Sequence, residues 1–203
     1  MSTTRSPYAR LFLVALFTAA FIDAGRQGLA AQAKTGIEFR VLATNKTSTM
    51  EKELNDAAEA GFAFQAVMGG QTAVGGREVV AVMSRTPGTK GRYAYRLLAT
   101  SKTSTMEKEL QEAADAGFEY RDQTVFTSAF GGEEVVCILE RDTESGASQR
   151  FQYKLLATTK TSTLEKELLE AGAAGYQVVG MTVAKTAVGG KELVAITRRV
   201  REP

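Results

Sequence analysis

The chain switches between two hydrophobic periods, and the same switch recurs three times. In "FRVLAT", "YRLLAT" and "YKLLAT" aromatic and branched residues partly alternate with polar ones, which predicts a first strand. Helical spacing follows at once. Met50, Leu54 and Ala57 fall at i, i+4 and i+7, as do Leu164, Leu168 and Ala171. Ser48 with Glu51, Ser104 with Glu107 and Ser162 with Glu165 read as capping boxes that open each helix. Gly61, Gly117 and Gly175 supply the left-handed residue that ends it. Lys52–Asp56, Lys108–Glu112 and Lys166–Glu170 place opposite charges at i, i+4 on the wet side.

A second strand then starts at Phe62, Phe118 or Tyr176. Gly-Gly pairs at 75–76, 131–132 and 189–190 accept the positive φ that a tight hairpin needs. The third strand, "REVVAVMSR", "EEVVCILER" or "KELVAITRR", is apolar on both faces, the mark of a strand covered from both sides.

The three βαββ units align without gaps at 39–86, 95–142 and 153–200, joined by Gly-, Ser-, Pro- and charge-rich connections. The class is α+β. A right-handed connection makes the first two strands parallel, and the doubly apolar third strand belongs between them, in the order 1-3-2. A unit this small buries too little surface alone. The expectation is therefore three sheets facing a common core with helices outside, in a pseudo-threefold body. A linear row of units is the alternative.

The segment before these units differs. Arg5 and Arg10 precede the apolar run 11–22, and Ala31-Gln32-Ala33 follows, the pattern of a secretory signal peptide over 1–33. The run is shorter than the roughly 20 residues a membrane span takes. Removing 1–33 takes three of the 25 basic and one of the 23 acidic residues, leaving 22 of each. A balanced, interspersed surface argues against nucleic acid as a partner, which requires a clustered basic face. There is no histidine, so Ser-His-Asp and Cys-His centres are excluded. The one cysteine, Cys137, lies in an apolar strand and reads as a core residue. No cofactor or metal is implied.

One polar segment is kept in triplicate: "ATNKTSTMEKEL", "ATSKTSTMEKEL" and "ATTKTSTLEKEL". Read structurally, it starts a helix. Read functionally, it is an anion site, because a helix N-terminus offers open N–H groups and a positive dipole end. The residues are Lys46, Ser48 and Thr49, with Lys102, Ser104 and Thr105, and Lys160, Ser162 and Thr163. The capping account explains all of them except the lysines. The copies differ most in the second strand, where unit two is conspicuously polar. There Tyr120, Arg121, Asp122, Phe126 and Phe130 form a candidate recognition surface, and a solvated edge strand is the plainer reading.

The stretch "YKLL…TSTLEKELLEAGAAGYQVV" resembles a small bacterial strand-helix-strand domain of unknown function, in which a Tyr-Lys strand leads into an LEKxLNxLGxxGWELV-type helix. The resemblance covers roughly the first 30 residues of each unit, with Phe or Tyr where that family shows Trp. It implies the same strand–helix–strand order and brings no catalytic residue.

Together these features lead one to expect an exported, periplasmic or secreted, non-enzymatic binding or structural module of the envelope. Its partner would be an envelope protein or glycan, with no membrane span after cleavage. The alternatives are self-assembly through open sheet edges into homo-oligomers, or a hydrolase using carboxylates alone. Cleavage after Ala33 predicts that mass spectrometry of the natively expressed protein finds Lys34 or a near neighbour at the N-terminus. Intact Met1 in the soluble fraction would defeat that expectation.

Overall fold

Each unit folds as its periods dictate. The computed structural model describes residues 36–72, 76–127, 133–145, 150–185 and 190–201. Unit one comprises β1 (Glu38–Thr44), α1 (Thr47–Glu59), β2 (Ala63–Thr72) and β3 (Gly76–Arg85). Unit two repeats it as β4 (Tyr93–Thr100), α2 (Thr103–Asp115), β5 (Glu119–Thr127) and β6 (Glu133–Asp142). Unit three is β7 (Phe151–Thr158), α3 (Thr161–Ala173), β8 (Gln177–Lys185) and β9 (Lys191–Val200). The sheets run β1-β3-β2, β4-β6-β5 and β7-β9-β8, every pair antiparallel. The α+β class, the three repeats and the 1-3-2 order are therefore as read from the pattern.

The helix ends also follow the sequence. Gly61 has φ +86°, and the Phe62 N–H reaches back to the Ala57 carbonyl while the Gly61 N–H reaches Ala58. This is a Schellman closure, repeated at Gly117 and Gly175. Of the expected hairpin glycines, Gly76 opens β3 with φ +74°, whereas 75, 131–132 and 189 lie outside the described residues. Every second strand carries an irregularity, at Phe64/Ala66, Tyr120/Asp122 and Val178/Gly180. In β2 the added residue changes which side chains point inward, so Phe64 before it and Val67 after it both join the same core.

The arrangement of the units is a linear stack, and the expected pseudo-threefold core is corrected on this point. The layers run sheet one, α1, sheet two, α2, sheet three, α3. Val79, Ala81 and Met83 of sheet one share a core with Met50, Leu54 and Ala57 of α1, and Tyr95, Val136 and Ile138 of sheet two close it from the other side. Val135, Cys137 and Leu139, on the opposite face of β6, join α2 with Val194 and Ile196 of sheet three. Leu156 and Ala195 turn the other way, onto Leu164 and Ala171 of α3. The helices are thus internal except the last. The first two helices each cover their own sheet and the next, so β6 and β9 are covered on both faces, whereas β3, expected to be covered twice, has one open face. Sheets also meet directly beside the helix: a Cβ at Gly69 would stand 2.3 Å from the Val125 carbonyl oxygen, so this approach requires glycine.

This order separates three equivalent valines. Val136 and Val194 are fully buried, each under the helix of the preceding unit, while Val80 lies on the open face of sheet one and is only partly covered. Val136→Asp and Val194→Asp should each cost about 3–5 kcal/mol, the scale of an uncompensated buried charge. Val80→Asp should cost much less. Urea denaturation of the three variants checks this, and equal losses at all three positions would contradict the stacking order.

Candidate functional site

The first two copies of the triplicated segment sit where consecutive units join, and the third opens the last helix. Thr44, at the end of β1, accepts the Lys46 N–H on its hydroxyl at 3.2 Å. Lys46 stays extended at φ −130°, ψ 123° and becomes the residue before the helix, with no side-chain cap. Lys102 and Lys160 do the same. The expected capping boxes are not formed: Ser48, Ser104 and Ser162 lie inside the first turn and are exposed. Glu51 has a stronger claim on it elsewhere. Its carboxylate accepts the N–H of Leu97 in β4 at 2.8 Å, and Glu107 accepts that of Leu155 in β7 at 2.8 Å. β4 and β7 are edge strands, whose outward N–H groups need partners.

A second side chain completes the fastening. The Asn55 amide accepts the Tyr95 N–H and donates to the Tyr95 carbonyl, both at 2.9 Å. It presents donor and acceptor to β4 as another strand would. Gln111 does the same for β7, accepting from Tyr153 N–H at 3.0 Å and donating to the Phe151 carbonyl at 3.2 Å. The tyrosines return the contact. The Tyr95 hydroxyl accepts the Phe64 N–H at 2.8 Å, and the Tyr153 hydroxyl accepts the Tyr120 N–H at 2.9 Å.

The Tyr95 hydroxyl also donates to Glu140 at 2.6 Å, and Arg121 lies 3.5 Å from the other carboxylate oxygen. Desolvation raises the Glu140 carboxyl above its ordinary pKa, with the Tyr95 hydrogen bond and the Arg121 charge acting against it. Burial likewise pushes Tyr95 up. Unit three has Arg198 where unit two has Glu140, and Arg198 pairs with Glu119 at 2.8 Å. The junctions share the tyrosine contact, but the ion pair beside it lies within unit two at the first and joins two units at the second.

Arginines that the sequence did not single out close the other end of each helix. Arg85 donates to the Ala60 carbonyl at 2.5 Å, Arg141 to Ala116 at 3.3 Å and Arg199 to Ala174 at 3.0 Å. Their guanidinium groups lie over the rings of Phe62, Phe118 and Tyr176 at 4.5, 4.7 and 4.8 Å. The signal was an arginine at one position of all three units.

The anion candidates are spread over three layers rather than brought together. Lys46, Lys102 and Lys160 are each exposed beside a helix start, with Thr49, Thr105, Ser162 and Thr163 in the adjoining first turns. The expected recognition surface is corrected. Tyr120 and Phe126 are buried, because β5 is flanked by units one and three on its two faces. Asp122 accepts the Val67 N–H at 3.3 Å and Arg121 pairs with Glu140, so both serve the first junction. Phe130 lies outside the described residues. Cys137 is fully buried as expected, and burial pushes its thiol up to about 12.

A cleft of about 730 Å³ opens where β7, β9 and the end of α3 meet. Its arginines are engaged: Arg198 with Glu119, Arg199 with Gln152 and Arg201 with Asp115. Among the described residues there is no group of three or more metal-ligating side chains, and no helix is long and apolar enough to cross a membrane. Compared with known protein families, curated proteins and solved structures, the chain matches none.

Tyr95→Phe tests the first junction. It removes the acceptor of the Phe64 N–H and the donor to Glu140, which should cost about 1–3 kcal/mol at neutral pH. Since the fold raises the Glu140 pKa, its stability contribution is full below the ordinary carboxylate range and is lost, as the cost of ionising it, when pH rises through the raised value. The hydroxyl eases that penalty. The variant's loss should therefore be larger at pH 7 than at pH 4, as read by urea denaturation, and a loss that does not change with pH would contradict this role.

Proposed function

We propose that the chain is an exported, non-enzymatic structural and binding module of the cell envelope. One observation supports this reading most: the polar residues kept in repeated form hold units to each other and helices to sheets. Glu51 and Glu107 fasten strands, Asn55 and Gln111 clip strand edges, and the repeated arginines close helix ends. A chain under selection for an extended rigid stack uses its side chains in this way. Turnover of ester, glycoside or phosphoester substrates by the purified protein would overturn this reading in favour of a carboxylate-based hydrolase.

Binding of an anion or acidic glycan at the helix starts is a second reading, favoured by the missing caps. With no side chain closing α1, α2 or α3, the first N–H groups stay open beside Lys46, Lys102 and Lys160. The triple lysine-to-alanine variant should keep the parent's melting temperature in plain buffer. It should lose the stabilisation that sulfate or an acidic glycan gives the parent. Equal responses in parent and variant would leave the segment as a helix start alone.

A further inference from the structure

The two ends of the stack expose what its interior covers. Phe39 and Val41 of β1 are 67% and 65% exposed, whereas Tyr95 and Tyr153, at the position of Phe39, are buried beneath the helix of the preceding unit. Ile37 and Met68 share that open face. At the far end Leu169 of α3 is 70% exposed, where Asn55 and Gln111 grip the next unit's strand. Val178, Met181 and Val183 of β8 are exposed as well. Val178 stands where Phe64 and Tyr120 are buried under the following unit. Among the described residues, Val200 is the one exposed large apolar side chain outside these two ends. Stacked repeats ordinarily close their ends with polar faces, and these ends are apolar.

The occupant each end calls for is present in the chain. The face of sheet one is the face that sheets two and three present to a preceding helix. The face of α3 and β8 is the one that α1 with β2, and α2 with β5, present to a following sheet. We propose that a second copy of this chain docks head to tail, its sheet one covering α3 and β8 of the first copy, layer on layer. Glu165, exposed at the position of Glu51 and Glu107, accepts the outward N–H of Val41 in the second copy, as its counterparts do for Leu97 and Leu155. Leu169 replaces the amide clip with apolar contact against Phe39. The interface joins two different surfaces, so association continues into a filament or closes into a ring.

The proposal names the partner within the structural reading above and rests on it. A protein shown to be non-enzymatic but always monomeric would sink the head-to-tail contact alone. The test uses the full chain and two variants, Val41→Glu and Leu169→Glu, at exposed positions where melting temperatures should match the parent at concentrations low enough to keep the parent monomeric. Sedimentation velocity of the parent should show mass rising with concentration in whole multiples of the chain. Each variant alone keeps one competent end and should stay monomeric. An equimolar mixture should form a dimer and stop there, because the two remaining ends are both blocked and repel. A parent that is monomeric at every concentration, a single variant that associates like the parent, or a mixture that stays monomeric would overturn the proposal.

Discussion

A sheet with two apolar faces must be covered twice, and a βαββ unit has one helix to offer. The rest of the structure follows from how that shortage is met. The first two helices each lie between their own sheet and the next, so α1 covers sheets one and two while α2 covers sheets two and three. Small side chains make this possible. Ala57, Ala58, Ala113 and Ala114 are all buried, and they let both sheets lie close to one helix. The edge strand facing each helix brings outward N–H groups, and side chains of the same helix satisfy them. Apolar burial and backbone hydrogen bonding are thus solved together at each junction.

The same economy shapes the functional reading. Glutamates open to acid–base work hold strand edges, and the arginines that line the cleft beside β7 and β9 are paired. A stack built from one junction repeated has two unused halves of that junction at its ends. A filament or ring of copies would use both.

Much of the fold was legible in the sequence because it is written in local signals. The glycines at 61, 117 and 175, the helical stripe from Met50 to Ala57 and the doubly apolar third strands each specify geometry without reference to distant residues. What covers the second face of a sheet is a long-range matter, and the pattern of β6 reads the same under a neighbouring helix as against another sheet. The capping box failed for a related reason. Ser-x-x-Glu is a local rule, and the Glu51 carboxylate found a partner 46 residues away. The aromatic residues of β5 looked like surface because unit two is polar there, yet Asp122 serves Val67 across a junction and Arg121 serves Glu140 within unit two. Exposure of Phe39 beside burial of Tyr95 was beyond any reading of three nearly identical strands, because their difference lies in what precedes them.

The central claim is that stability in this chain comes from neighbours sharing helices, so protection should be graded along the stack. Native-state hydrogen exchange of the full chain measures this directly. Sheet two is covered by α1 and α2, so the amides of β6 should exchange slowest. Those of β3 and β9 should be intermediate, and α3, with no sheet beyond it, should open well before α1 and α2. Equal protection of α3 and α1, or three units each opening at a free energy of its own, would contradict the account.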